Sequence, residues 1–260
     1  MQIGISSLHL MGKPFDSLVD AIRNYDVGVW EIVDDDTLTL TNENTEDLTD
    51  LRTSLGIEYT VHAPIADINI SAVNEDFRRM TIDRLKKSLQ HAEMIGARLW
   101  IFHPGIYSGL GLFYPDRDME NCVKSVNELF EFAERIGMRI GIENMPDLVM
   151  FLLRGTDDFS RFYELAGNKA PELVLDIGHA NTTNEIERFF ERQGQRIAHL
   201  HAHDNDGRTD SHNGIGYGTV PWKAVASRLA KLEFEGIVMI ESVRNLSESI
   251  KAARQLFLEA

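Results

Sequence analysis

The sequence predicts a single (β/α)8 barrel over residues 1–260, and three observations carry that prediction. Eight short apolar runs alternate with eight helix-forming segments, and the runs are apolar on both faces, as parallel strands covered by helices are. The chain length of 260 residues suits a fold that typically takes ~250. Acidic or histidine residues stand at the ends of six consecutive runs, and a barrel gathers those ends onto one face. A doubly wound open sheet is the weaker alternative. No linker, low-complexity stretch or composition shift divides the chain, and no repeated motif supports a solenoid.

The elements follow in order. Gln2–Ser6 (QIGIS) reads as the first strand and Pro14–Tyr25 as an amphipathic helix. Val29–Val33 (VWEIV) is the second strand, ending in acidic Asp34–Asp36. The helix Thr45–Leu55 stops at Gly56, and Ile57–His62 is the third strand. Asn74–Ile95 is a long helix, with Asn74 at its N-cap, Gly96 at its C-terminus, and Phe77, Leu85, Leu89, Ala92 and Ile95 on one apolar face. Arg98–His103 is the fourth strand, and Pro115–Ile136 holds the fourth helix, closed by Gly137. Arg139–Glu143 is followed by the helix Thr156–Leu165, and Leu173–Asp176 by a short helix at Thr183–Arg192. Ile197–His201 precedes a helix at Pro221–Leu232 with proline near its first turn. Ile237–Glu241 and the helix Leu246–Leu258 close the chain.

Composition narrows the function classes. The apolar fraction of 43% is ordinary for a globular protein. No apolar run approaches the ~20 residues of a membrane span, so no membrane partner is expected. The N-terminus MQIGISSLHLMGKPFD has no basic n-region or small-residue cleavage site. Cys122 is the only cysteine, so no intrachain disulfide forms. Both points fit a cytoplasmic protein. A net charge of −15 argues against a general nucleic-acid coat or an anionic membrane surface as partner.

The stretch His199–Gly218, HLHAHDNDGRTDSHNGIGYG, holds four of the nine histidines. It reads as the end of a buried strand followed by a long polar loop, the kind of segment that carries function. Asp210 and His212 share the i, i+2 spacing. DNDG resembles the opening of a calcium loop, but Arg208 and Ile215 fall where that loop needs oxygen ligands. The other strands add His62, His103, Glu143, Asp176 with His179 three residues on, His201 and Glu241. Mixed imidazole and carboxylate donors suit zinc, manganese or iron better than calcium or magnesium. One four-coordinate ion would leave several of these nine residues buried and unpaired, which is costly. Two or three ions with a bridging carboxylate would use them all.

The motifs VHAPIADINI, FHPG, IEN, LDIGHAN, HLHAHDND, TDSHNGIGYG and the final IES resemble those of the xylose isomerase-like TIM barrels, over nearly the whole chain. That superfamily includes sugar (phosphate) isomerases and epimerases and the endonuclease IV branch. The endonuclease IV resemblance implies three zinc ions: one held by His62, His103 and Glu143; a second held by Glu143 as a bridge with Asp176, His201 and Glu241; a third held by His179, Asp210 and His212. The isomerase branch implies one metal at Glu143, Asp176, His201 and Glu241. Zinc or manganese is therefore expected, at one to three ions per chain.

Two chemistries compete for these residues. The first is isomerisation or epimerisation of a sugar or sugar phosphate, with Glu143 and Glu241 as acid and base. The second is hydrolysis of a phosphodiester at an abasic site in DNA. The nine-position donor set favours the hydrolase. The acidic charge and the loop Asp34–Asn44, with four acids and no Lys or Arg, disfavour DNA. The expected partner is a small polyhydroxylated or phosphorylated substrate. A non-catalytic metal- or sugar-binding barrel is a third class. Further substrate contacts are read at His9 (lining the mouth), at Trp30 and Trp222 (stacking on a sugar, with core packing the alternative), at Arg154 and Arg208 (reaching a phosphate, with a solvated surface arginine the alternative) and at His203 (substrate contact or ligand orientation).

Overall fold

The structure is a computed structural model that describes residues 1–111, 113–114 and 116–259. Eight parallel strands close into a barrel in sequence order: β1 (Gln2–Ser6), β2 (Val29–Val33), β3 (Glu58–His62), β4 (Trp100–Phe102), β5 (Ile140–Glu143), β6 (Glu172–Asp176), β7 (Ile197–Ala202) and β8 (Ile237–Ile240). β8 pairs with β1 from Gln2↔Ile237 to Ile5↔Ile240, which shuts the ring. The outer layer is α1 (Asp16–Asn24), α2 (Asn42–Leu55), α3 (Glu75–Met94), α4 (Arg117–Ile136), α5 (Thr156–Ala166), α6 (Ile177–Thr182), α7 (Ile186–Gln193), α8 (Trp222–Lys231) and α9 (Leu246–Phe257).

Strand alternation sorts each run into an outward and an inward set. Outward residues such as Trp30, Tyr59, Trp100, Phe102 and Leu200 join the large core under the helices. Inward residues form two small separate clusters, Val29 with Ile237 and Met239, and Leu99 with Ile101 and Val174. The same inward faces carry Glu31, Thr60 and His199, all buried, and at their C-terminal ends the acids and imidazoles of the mouth. The barrel interior is therefore apolar below, polar in its middle layer and ionisable at the top.

Local signals set most helix ends. Asn74 Oδ1 accepts from the N–H groups of Asp76 and Phe77 and starts α3. Gly56 and Gly137 end α2 and α4 at φ +67° and +73°, a conformation that L side chains resist. Pro115, where the sequence places the start of the fourth helix, lies outside the described residues.

Three expectations need correction. Phe77 does not join the buried face of α3; it is exposed, and Arg78 is buried instead, donating to Ser125 Oγ at 2.9 Å. The helix expected at 183–192 begins at Ile186. An additional short helix, α6, follows β6 directly because Asp176 Oδ1 caps it through the N–H of His179 at 2.6 Å. Among the described residues no helix is long and apolar enough to cross a membrane.

The contact between α5 and α7 offers a test of the packing. Phe159 is fully buried, with its ring 5.8 Å from Tyr163 and 5.7 Å from Phe189. Phe159→Ala is expected to lower stability by about 3–5 kcal/mol, measured by urea unfolding, without moving any residue of the mouth.

Candidate functional site

The strand ends and the segments that follow them bring the nine sequence-predicted donors together in three neighbouring groups, of which the first two overlap. In each group one donor atom per residue lies within 4.8 Å of the others: His62, His103 and Glu143; Glu143, Asp176, His201 and Glu241; and His179, Asp210 and His212, joined by His203. Glu143 belongs to the first two. Its Oε2 lies 3.2 Å from both His62 Nε2 and His103 Nε2, and its Oε1 lies 3.0 Å from His201 Nδ1. Glu241 Oε2 is 3.5 Å from the same His201 nitrogen. Asp210 Oδ2 is 3.2 Å from His179 Nε2 and 3.4 Å from His212 Nε2.

The backbone decides which nitrogens face the acids. His62 Nδ1 donates to the Ala63 carbonyl at 2.9 Å, His179 Nδ1 to Asn144 O at 2.7 Å, and His212 Nδ1 to Glu241 O at 3.1 Å. A neutral imidazole carries one proton, so the Nε2 lone pair of each ring points at carboxylate oxygens that also offer only lone pairs. Such an arrangement calls for a proton or a cation between the donors. Asp176 Oδ2 is buried with no hydrogen-bond partner, another donor aimed at the same space. The donor set, mixed nitrogen and oxygen, fits zinc or manganese.

Without a metal the protonation balance is displaced in both directions. Burial would raise the Glu143 carboxyl, but His201, His103 and His62 outweigh it and hold it well below its usual range. Burial pushes Glu241 well above its usual range; His201 opposes this, while Glu31, Glu143 and Asp176 add to it. Burial lowers His201 and His179, yet surrounding carboxylates overcome it and raise both well above the usual imidazole range.

The long loop after β7 is shaped by buried acids and amides. Asp204 accepts from the N–H groups of Gly216 (2.9 Å) and Val220 (3.1 Å) and from Trp222 Nε1 (2.9 Å). Asn205 Nδ2 donates to Gly178 O at 2.8 Å. These bonds hold Asp210 and His212 over the barrel, with His212 in the left-handed region at φ 45°, a strained conformation that its surroundings enforce.

Above the donors is a cavity of about 480 Å3, within the usual range for a small-molecule site. Leu8, Val33, Ile65, Met145, Leu148 and Phe151 make an apolar wall, and Arg208, Thr209 and Thr182 add polar groups. Arg208 is therefore placed to meet a ligand.

The other residues read as substrate contacts lie elsewhere. Trp30 points outward into the core, edge-on to Tyr25. Trp222 is buried on Asp204. Arg154 pairs with Asp147 at 2.8 Å and does not line the cavity. His9 Nδ1 is tied to Ser6 O at 2.9 Å beside Tyr25, also outside the cavity. His203 is wholly buried, stacked 3.8 Å from His212, with Nε2 3.1 Å from Asp176 Oδ1. That place behind the donors suits orientation rather than substrate contact. A Cβ on Gly178 would come within 2.0 Å of the His203 ring, so only glycine lets α6 approach so closely.

Sequence reasoning missed Glu31, which with His199 and His201 forms a further buried group of donors. The available signal was a carboxylate in the middle of the apolar run VWEIV, at the period-2 position shared by Val29 and Val33.

The sequence profile of the xylose isomerase-like TIM barrel family matches residues 19–259. The chain belongs to this family. An uncharacterized protein of Methanocaldococcus jannaschii is 31% identical to this chain, over 97% of this chain and 87% of its own. A probable endonuclease 4 of Lachnoclostridium phytofermentans is 26% identical over 71% and 68%. A D-psicose 3-epimerase of Ruminiclostridium cellulolyticum is 25% identical over 72% and 64%. The crystal structure of a D-tagatose 3-epimerase-like protein superposes with a TM-score of 0.91 at 29% identity, covering 98% of this chain and 97% of the other.

The displaced titrations predict a pH response. His201 and His179 are raised in the folded state. Their stabilisation is complete below the ordinary imidazole value of 6.5 and is lost as pH rises through the folded values. The raised Glu241 acts in the same direction from 4.5 upward. In chelator-stripped protein, Tm is therefore expected to fall as pH rises above the ordinary imidazole value of 6.5, and saturating Zn2+ or Mn2+ to remove most of that fall. Equal slopes with and without metal, read by scanning calorimetry, would count against the donor groups as the cause.

Proposed function

We propose that this protein is a divalent-metal-dependent enzyme that isomerises or epimerises a small polyhydroxylated carbonyl substrate, a ketose or its phosphate ester, at the mouth of the barrel. The observation that carries this reading is the placement of Glu143 and Glu241. Both line the cavity floor, and both reach His201 Nδ1, at 3.0 and 3.5 Å. Moving a proton at a carbon beside a carbonyl requires one group to take it and another to return it, on the opposite face for epimerisation. Two carboxylates across one small cavity meet that need. A divalent ion at Glu143, Asp176, His201 and Glu241 would polarise the carbonyl and acidify the neighbouring C–H. Arg208 would meet a phosphate or a distal hydroxyl, and the apolar wall would exclude water from the reacting carbon. The D-psicose 3-epimerase relative supports the assignment of reaction class.

A second reading, metal-dependent phosphodiester hydrolysis, is favoured by one observation. His62 and His103 on one side, and His179, Asp210 and His212 on the other, build donor groups that a one-metal isomerase does not need. Against DNA as substrate stand the net charge of −15 and the use of acids in the loop after β2. There Asp34 is bound by Arg84 at 3.0 Å, and Asp35 Oδ2 accepts from the N–H groups of Ile65 and Ala66 at 2.7 Å. Phosphate contacts dominate nucleic-acid affinity, and this rim supplies few.

Elemental analysis per chain combined with two variants separates the readings. With metal bound, turnover of a ketose panel in deuterated water is expected to place deuterium at the epimerised carbon. Glu241→Gln should lower that exchange by about 10²-fold or more; full turnover by the variant would exclude Glu241 as acid or base. If three ions bind, His212→Ala should remove about one of them, and hydrolysis of abasic DNA and phosphate esters becomes the deciding assay. A wild type that saturates at one ion rules out the three-metal hydrolase.

A further inference from the structure

Among the four mouth histidines that hydrogen-bond through the ring nitrogen turned away from the shared donor cluster, one is held differently from the others. His62, His179 and His212 each give their second ring nitrogen to a backbone carbonyl. His201 gives its Nε2 to a side chain, Glu31 Oε2 at 3.3 Å. Glu31 is fully buried in the middle of β2 and points inward, one layer below the mouth. It reaches across the barrel interior from β2 to β7, strands that are not neighbours in the ring.

The carboxylate is itself held. Thr60, its register partner on β3, donates its hydroxyl to the same Oε2 at 3.1 Å. His199 Nε2 stands 3.5 Å from that oxygen. Oε1 has no partner. An ionisable group fully buried inside the barrel is costly unless it does something for the residues around it.

The chemistry of imidazole supplies the reason. His201 Nδ1 faces Glu143, Asp176 and Glu241 at 3.0, 3.9 and 3.5 Å. For Nδ1 to offer a lone pair to a cation there, the ring proton must sit on Nε2. A carboxylate accepts that proton's hydrogen bond, fixes the tautomer and ring plane, and makes the ring a stronger donor than a backbone carbonyl would. We propose that Glu31, braced by Thr60, is a positioning residue that sets the Nδ1-donor form of His201 and thereby tunes metal affinity at the Glu143–Asp176–His201–Glu241 group. Glu31 is not itself a ligand in this proposal. The proposal rests on the metal reading of the site given above.

The test uses Zn2+ and Mn2+ binding to the stripped full-length chain by chelator competition, with 15N NMR of histidine-labelled protein as a second readout. Glu31→Gln keeps the size of the side chain but removes its charge. It is expected to bind the same number of ions at saturation, with the affinity of the affected site reduced about 10–100-fold, and to shift the His201 Nε2 resonance in the zinc-loaded state. Thr60→Val should weaken binding in the same direction by less, and Thr60→Ser should restore it. If Glu31→Gln does not fold, the Thr60 pair decides: unchanged affinity in Thr60→Val overturns the proposal. A folded Glu31→Gln with wild-type affinity and an unmoved Nε2 resonance also overturns it. So does loss of one whole ion at saturation, since that would make Glu31 a ligand. A wild type that binds neither metal refutes the reading of the site itself, a failure distinct from these.

Discussion

The carboxylate of Glu143 is the point on which the mouth converges. Its two oxygens meet His62, His103 and His201, from β3, the end of β4 and β7, within 3.2 Å. Glu143 can collect side chains from so many strands because a closed parallel ring leaves all its C-terminal ends on one side. The rest of the upper structure answers the resulting crowding of lone pairs. Backbone carbonyls take the spare proton of three histidines, Asp176 caps α6 and so carries His179 into place, and the loop after β7 folds back to add Asp210 and His212. Each of these features would be a buried polar burden in isolation, and together they form a candidate site for cations.

The barrel's layers also explain how stability and chemistry are kept apart. Outward faces of the strands supply the large apolar core under the helices, where aromatic residues such as Phe159, Phe162 and Phe189 are fully buried. Inward faces supply only small apolar clusters low in the ring. The middle layer, with Glu31, Thr60 and His199, is polar because it supports what lies above it. A change under the helices therefore affects folding first, and a change in the upper layers affects ion binding first.

Much of this was legible in the sequence because the fold ties ligand position to strand ends. The short runs, apolar on both faces, placed all eight strands to within a few residues, and the donors His62, Glu143 and Asp176 stand at the ends of their strands as expected. What was not legible had definite causes. For Trp30, which lies near a strand end, sugar stacking and core packing were both open, and alternation turns it outward into the core. Glu31, its neighbour, was overlooked because a single acid in VWEIV carries no motif; its meaning appears only when β2 and β7 face each other across the ring. Helix α6 was missed because IGHANT has no helical periodicity and its start depends on Asp176, a residue read as the end of a strand.

The bonds of Asp204 have a mechanical consequence. One buried carboxylate ties the loop after β7 to Trp222, the first residue of α8, and α8 packs in turn with α9 through the Trp222–Phe257 edge contact at 6.4 Å. The segment that carries Asp210 and His212 is thus hung from the outer shell as well as from the strand that leads into it. Its long course is pinned at Asp204 to the start of the helix behind it. The outer wall of the barrel thus serves as an anchor for its mouth, through a buried carboxylate that lies on neither the cavity wall nor the donor groups.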